Sequence, residues 1–248
     1  MRILVLIILL KSLLFGNEII RITNGEWIPF MSKEVRNYGF VSEIVSEAFL
    51  LEGIKVEYGF YPWVRSLELA RIGQWDGTIG WAKTEEREKD FYFSDEPIWT
   101  AIVVFFYLSS TEFDWKKMGD LKEYRIGVTS GYSYGKEFDS FAEENKDLIE
   151  YTAEDINNFK KLLAGRIDVF PMDIDVGLYI VNKYFRNDSK FIRTHLKILD
   201  KRPQYLLLSK RNPNNAIFIE RFNRGLKKLK ENGKEEKILK IYRELYKN

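Results

Sequence analysis

The sequence predicts an α/β protein of two lobes joined by two crossing strands. Three observations carry that expectation. β-rich runs alternate with stretches of helical period over residues 19–82, and the same alternation restarts at residue 125. Two further apolar, β-rich runs, residues 102–108 and 205–209, pass between these units with no flexible tether. At 248 residues, with 45% hydrophobic and 15% aromatic content, the chain has the length and the apolar material for two lobes of about 100 residues, each with its own core.

In chain order, residues 19–23 read as a strand that ends at Asn24-Gly25. Over residues 40–51, Phe40, Ile44, Val45, Ala48 and Phe49 recur at helical spacing and form one stripe, and Gly53 stops the helix. Residues 54–60 alternate as a strand does. Pro62 opens the next helix, where its missing N–H is harmless, with Trp63, Leu67 and Ala70 on the face expected to be buried. Residues 76–82 form the next strand. In the second unit, strands are expected at 125–129, 148–151 and 169–172, with helices at 134–145 and 156–164. Two amphipathic helices, 214–230 and 235–246, close the chain on either side of Gly233. Two lobes with strand hinges imply a cleft between them, a common place for a ligand.

The first residues have the pattern of an export signal. Arg2 precedes an apolar run that is too short for the roughly 20 residues of a membrane span, and residues 1–16 are expected to be removed after Gly16. Leu14 sits where a small residue is preferred, so an uncleaved anchor stays open. Without Arg2 and Lys11 the 39 Lys and Arg fall to 37, against 37 Asp and Glu, which leaves no basic field for nucleic acid. The absence of cysteine excludes disulfides, thiolate catalysis and Cys-ligated zinc.

Four motifs in order give the chain a family likeness. They are Trp27-Ile28-Pro29-Phe30 with Tyr38-Gly39-Phe40; Asp76 with Thr84-Glu85-Glu86-Arg87 and Phe93-Ser94-Asp95-Glu96-Pro97; Arg125-Ile126-Gly127-Val128 with Gly131-Tyr132-Ser133; and Leu163-Ala164-Gly165-Arg166-Ile167-Asp168 with Asp173 at the end of its strand. With these the chain resembles the bacterial extracellular solute-binding proteins of family 3, the polar amino-acid-binding components of ABC transporters, over nearly all of residues 19–246. The resemblance implies a periplasmic-binding-protein-like fold of type II, with lobe 1 formed by residues 17–107 plus 206–248 and lobe 2, inserted, by residues 108–205. It implies a monomeric periplasmic protein that closes by hinge motion on a carboxylate-bearing ligand, expected to be an amino acid, and delivers it to an ABC permease of the inner membrane. No cofactor, metal or nucleic acid is implied.

The resemblance also nominates residues. In the family the arginine of Thr84-x-x-Arg87 grips the ligand carboxylate, a task suited to a planar guanidinium fork; Thr84 doubles as a helix N-cap. The Gly131-Tyr132-Ser133 turn supplies backbone and hydroxyl contacts to the same carboxylate, and Tyr132 and Ser133 are the candidates, with an ordinary helix cap as the alternative. An aspartate at position 173 takes the ligand ammonium; the alternative is a strand-end loop residue. A ring after the first strand stacks on the ligand, which favours Phe30 or Trp27. Trp81 and Ala82 stand before the arginine motif, whereas Trp63 reads as core.

Some features depart from the family. The segment from Asp76 to Thr84 is one residue short, and Gly80-Trp81-Ala82-Lys83 replaces the usual hydroxyl residues, which admits a flatter or more acidic ligand. Glu26 favours a second cation on the ligand. Asp173 and Asp175 are too few for a metal site without a histidine nearby. His195, the one histidine, has no Ser and Asp placed with it by sequence. An enzyme on the same fold, dehydratase-like, and a ligand-sensing domain are the alternative functions.

Overall fold

A computed structural model describes residues 18–130 and 132–245. The expected export signal over residues 1–16, Gly131 of the turn motif and the end of the closing helix at Tyr246 lie outside the described residues. The described chain divides into two compact units, residues 18–99 with 203–242 and residues 100–202 with 243–245. The crossings fall at Trp99/Thr100 and Arg202/Pro203, whereas the sequence reading set them at 107/108 and 205/206. The strand Trp99–Leu108 explains the first difference: from Val103 to Tyr107 it is laddered to a strand of the second unit, so it belongs there almost entirely.

The first unit contains β1 (Glu18–Asn24), α1 (Phe40–Leu50), β2 (Ile54–Phe60), α2 (Trp63–Arg71), β3 (Gly77–Trp81), α3 (Glu85–Asp90) and β4 (Phe91–Phe93). β1 lies between β2 and β3, parallel to both, with Glu18 opposite Ile54 and Ile22 opposite Gly77. The predicted stripe of α1 is the buried one: Phe40, Ile44, Val45, Ala48 and Phe49 are all withdrawn from water. Each of the four larger side chains contributes about 1.5–3 kcal/mol of transfer free energy.

The second unit contains β5 (Trp99–Leu108), β6 (Ile126–Thr129), α4 (Lys136–Glu144), β7 (Ile149–Thr152), α5 (Asp155–Leu163), β8 (Val169–Asp173), α6 (Ile174–Tyr184) and β9 (Ile192–Thr194). Its strands run in the order β5-β8-β6-β7, with β9 paired to β5. β6 is parallel to β7 and β8, and β5 is antiparallel to β8. Phe105, Trp115, Phe138, Phe141 and Ile126 are among the side chains of its core. The chain returns through β10 (Asp200–Ser209), antiparallel to β3 and β4, and ends in α7 (Asn215–Glu231) and α8 (Lys234–Leu245).

Two elements differ from expectation for local reasons. The helix expected from residue 134 starts at Lys136, because Gly135 has φ 107°, a conformation no helix contains. α6 was not foreseen. It follows β8 with no loop, so one apolar run carries both the strand and the helix, and the switch is marked only by Asp173.

Candidate functional site

In the first unit the candidate residues gather at the end of β3. Thr84 caps α3, its Oγ1 accepting the Arg87 N–H at 3.3 Å. That cap fixes the turn from which Arg87 folds back. Arg87 Nη1 donates to the Ala82 carbonyl at 2.8 Å, and the guanidinium lies over the Trp81 ring, 4.9 Å from its centroid. Trp81 is itself anchored, since Nε1 donates to Thr78 Oγ1 at 2.9 Å and the Thr78 hydroxyl donates to the Thr23 carbonyl at 3.1 Å. Arg87 is half-buried and has no ion-pair partner among the described residues. Burial pulls its pKa below the usual arginine value, with Arg71 adding to the shift and Glu86 opposing it.

Around this guanidinium stands a row of rings. Trp63 is edge-on to Trp81 at 5.4 Å and to Trp27 at 6.5 Å. All three indoles are half-buried. Trp63 was read as core; it is instead the ring that joins the two candidate tryptophans. It is seated against glycine backbone, for a Cβ on Gly25 would come within 2.3 Å of its ring. Phe30 requires the opposite correction. It is 1% exposed and packs on Trp27, Phe40 and Trp99, so it supports the row from beneath and offers no surface of its own. Lys83 pairs with Glu88 at 3.0 Å, which removes it as a free cation for an acidic ligand. Glu26 is exposed.

The second unit presents carboxylates. Asp173 is 8% exposed and ends β8 as the N-cap of α6. Its Oδ1 accepts the N–H groups of Asp175 and Val176 at 3.0 and 3.1 Å, and its Oδ2 accepts that of Ile102 at 3.0 Å. Burial raises its pKa to about 7, helped by the nearby charge of Asp175 and opposed by those backbone donors. It pairs with no cation among the described residues.

The turn before α4 is organised differently from expectation. The Ser133 hydroxyl is bonded to the Asp139 carboxylate, and the Tyr134 N–H donates to the other oxygen of Asp139 at 2.8 Å. Ser133 is therefore engaged in closing its own turn, and its hydroxyl hydrogen is not available to a ligand. Tyr132 is 51% exposed and donates to Asp155 Oδ2 at 3.3 Å. Asp155, which the sequence reading did not single out, also accepts from Thr129 Oγ1 at 2.6 Å, and burial raises its pKa. Its signal was available: like Asp173, it is an acid where a strand gives way to a helix.

His195 has both ring nitrogens engaged. Nδ1 accepts the Lys197 N–H at 3.0 Å, which leaves the proton on Nε2, 3.2 Å from Asp114 Oδ1. No lone pair is left for a hydroxyl nucleophile. Among the described residues, no group of three His, Cys, Asp or Glu side chains is placed to hold a metal, and no helix is long and apolar enough to cross a membrane. An open groove along α4, lined by Ser133, Lys136, Asp139 and Ser140, includes neither Arg87 nor Asp173.

The sequence profile of the bacterial extracellular solute-binding proteins, family 3, matches residues 19–244. The chain belongs to that family. It is 26% identical to the arginine-binding periplasmic protein of Mannheimia haemolytica over 92% of this chain and 95% of that protein. Among solved structures it is similar to the second substrate-binding domain of a putative amino acid ABC transporter from Streptococcus pneumoniae, with a TM-score of 0.70 and 24% identity over 91% of this chain and 99% of that one. It is equally similar to an ancestral cationic amino acid solute-binding protein, with a TM-score of 0.70 and 20% identity over 93% of this chain and 98% of that one. The fold of this family 3 chain is therefore the type II periplasmic-binding-protein fold, and its relatives are solute-binding proteins.

Proposed function

We propose that this family 3 protein binds an amino acid in a cleft between its two units, with the carboxylate on Arg87 and the ammonium on Asp173, and hands it to an ABC permease. The observation that carries this reading is the pair of uncompensated charges: a half-buried guanidinium in one unit and a buried carboxylate in the other, each without a counter-ion among the described residues. A zwitterion supplies both missing charges at once. Arg87 presents its fork beside Trp81, and Trp27 and Trp63 continue the ring surface for the ligand's side chain. Closure is a hinge motion at the crossings Trp99/Thr100 and Arg202/Pro203, driven by ligand contacts made only in the closed form. Export through residues 1–16 and release into the periplasm, as a monomer with no catalytic step, complete the reading. The names of the relatives, arginine-binding and cationic amino acid-binding, support an amino acid ligand with a positive side chain.

The test is a thermal-shift screen of the twenty amino acids. A ligand at 100 times its Kd stabilises by about 2.7 kcal/mol, which raises Tm by several degrees for lobes of this size. A flat response to all twenty overturns the reading. Recovery of the bound compound with altered mass would overturn the non-catalytic part alone.

A further inference from the structure

We propose that Asp155 is the acceptor for a positive charge on the ligand's side chain, so that this residue selects a cationic amino acid over a neutral one of the same shape. The proposal rests on the amino-acid reading above. Asp155 opens α5, and among the described residues neutral hydroxyls alone hold it: Thr129 Oγ1 donates to Oδ1 at 2.6 Å and the Tyr132 hydroxyl donates to Oδ2 at 3.3 Å. The Thr129 bond has a forced direction. Buried Asn158 Nδ2 donates to the same Oγ1 at 3.1 Å, so the hydroxyl proton is left for Asp155. An ionised carboxylate has about four acceptor positions, and these two hydroxyls leave half of them open. The chain carries 39 Lys and Arg, yet none pairs with Asp155 among the described residues.

An acid in the first turn of a helix is ordinary, because the helix dipole favours it there. The dipole accounts for an acid at that position and leaves unexplained its withdrawal from water behind Tyr132. Its location supplies the reason. In the parallel ladder of β7, β6 and β8, Thr129 is opposite Thr152 and Ile126 is opposite Val169. The three strands therefore finish on one edge, with Thr129, Thr152 and Asp173 at their ends. The carboxyl end of such strands is where ligands of α/β sheets bind. Both helices that start from this edge carry a carboxylate of the chain itself at their start, Asp155 in the first turn of α5 and Asp173 as the cap of α6. An edge that would otherwise attract an anion is thereby made to attract cations. One ammonium satisfies Asp173; Asp155 asks for a second positive group, and the Tyr132 whose hydroxyl it accepts is half exposed.

The experiment is calorimetric titration of the full chain and of Asp155→Asn with L-arginine and L-citrulline, whose urea group is a neutral near-copy of the guanidinium. The unaltered protein is expected to prefer arginine by at least ~30-fold, the lower range for a desolvated charge pair. Asp155→Asn should bring the two ligands within about threefold by weakening arginine alone, since asparagine keeps an acceptor for Thr129. A merely structural role would weaken both ligands together and preserve their ratio, and that result overturns the proposal. Equal binding of the two by the unaltered protein overturns it as well, while the amino-acid reading stands. If no amino acid binds at all, that reading fails and the proposal fails with it.

Discussion

The two units carry opposite candidate charges and hold them by opposite means. Among the described residues Arg87 is held by one carbonyl and one ring, contacts that leave most of its guanidinium donors without a partner. Asp173 is held by three backbone N–H groups, two of which belong to the helix it caps. The difference is between a group attached to a fold and a group built into one. Removing the guanidinium should touch binding and leave folding alone. Removing the carboxylate should touch both.

The largest expected effect follows from the first half of that contrast. Arg87→Ala should weaken any carboxylate ligand by the ~2–5 kcal/mol that accompanies loss of one partner of a desolvated, hydrogen-bonded charge pair, about 30-fold to several thousandfold. The ligand-free Tm should stay within a few degrees, because the deleted group has no counter-ion among the described residues to strand. Arg87→Lys should recover only part of the affinity, since an ammonium lacks the planar fork. Titration calorimetry beside a melting curve separates the two readouts. Unchanged affinity in Arg87→Ala would take the first unit's charge out of the site.

The second half of the contrast sharpens into a pH experiment. Burial raises the Asp173 carboxyl from 3.8 to about 7 in the folded protein. Between those values the folded chain holds a proton that the unfolded chain has released. The stability from this group is therefore full at low pH and is lost as pH rises through about 7. Asp155 and Asp175 are raised as well, so they add to the same slope. Binding has the opposite sign, because a ligand ammonium requires the ionised carboxylate. From pH 5.5 to 8 the ligand-free Tm should fall while affinity for the amino acid rises, by about tenfold per pH unit well below the midpoint. Asp173→Asn should flatten the affinity profile and also lower Tm, because asparagine keeps the cap on α6 but leaves the Ile102 N–H without its acceptor, at about 1–3 kcal/mol. Parallel slopes for stability and affinity would refute the assignment of Asp173 to the ammonium.

The same asymmetry explains what could be read from the chain alone. Strands and helices with a single periodicity, such as α1 and β2, were legible because burial and spacing agree there. Arg87 was legible because a short motif carries both its cap and its side chain. α6 was hidden because strand and helix follow each other with no loop, and Asp173 and Asp175 are too little punctuation in an apolar stretch to show the change of period. The rings show a second limit. Phe30 and Trp63 are both aromatic residues of unit 1, and nothing in their local sequence says that the first is fully buried while the second is half-buried and seated on Gly25. Asp155 escaped notice because its one signal, an acid where a strand gives way to a helix, is what any helix start would carry; its hydroxyl partners, which set it apart, are visible only in the structure.

The smallest expected effect concerns Ser133, where the family likeness and the local geometry point in different directions. The likeness makes its hydroxyl a carboxylate contact. In the structure that hydroxyl is bonded to Asp139, whose other oxygen takes the Tyr134 N–H, and the pair closes the turn into α4. A carboxylate ligand brought to this turn would meet a hydroxyl whose proton is already committed to another carboxylate, and the Asp139 charge would repel it. The anion-binding capacity of a helix N-terminus is spent locally in the same way, since Asp139 lies in the first turn of α4. Ser133→Ala should therefore change affinity by less than about threefold, the free energy of one exposed neutral hydrogen bond. Asp139→Asn is the informative partner. It keeps an acceptor for the turn but removes the charge, so it should leave affinity unchanged or raise it slightly. A loss of tenfold or more in Ser133→Ala, with Asp139→Asn neutral, would mean that Ser133 turns from Asp139 to the ligand on binding, and the second unit would then contribute a donor as well as its carboxylates.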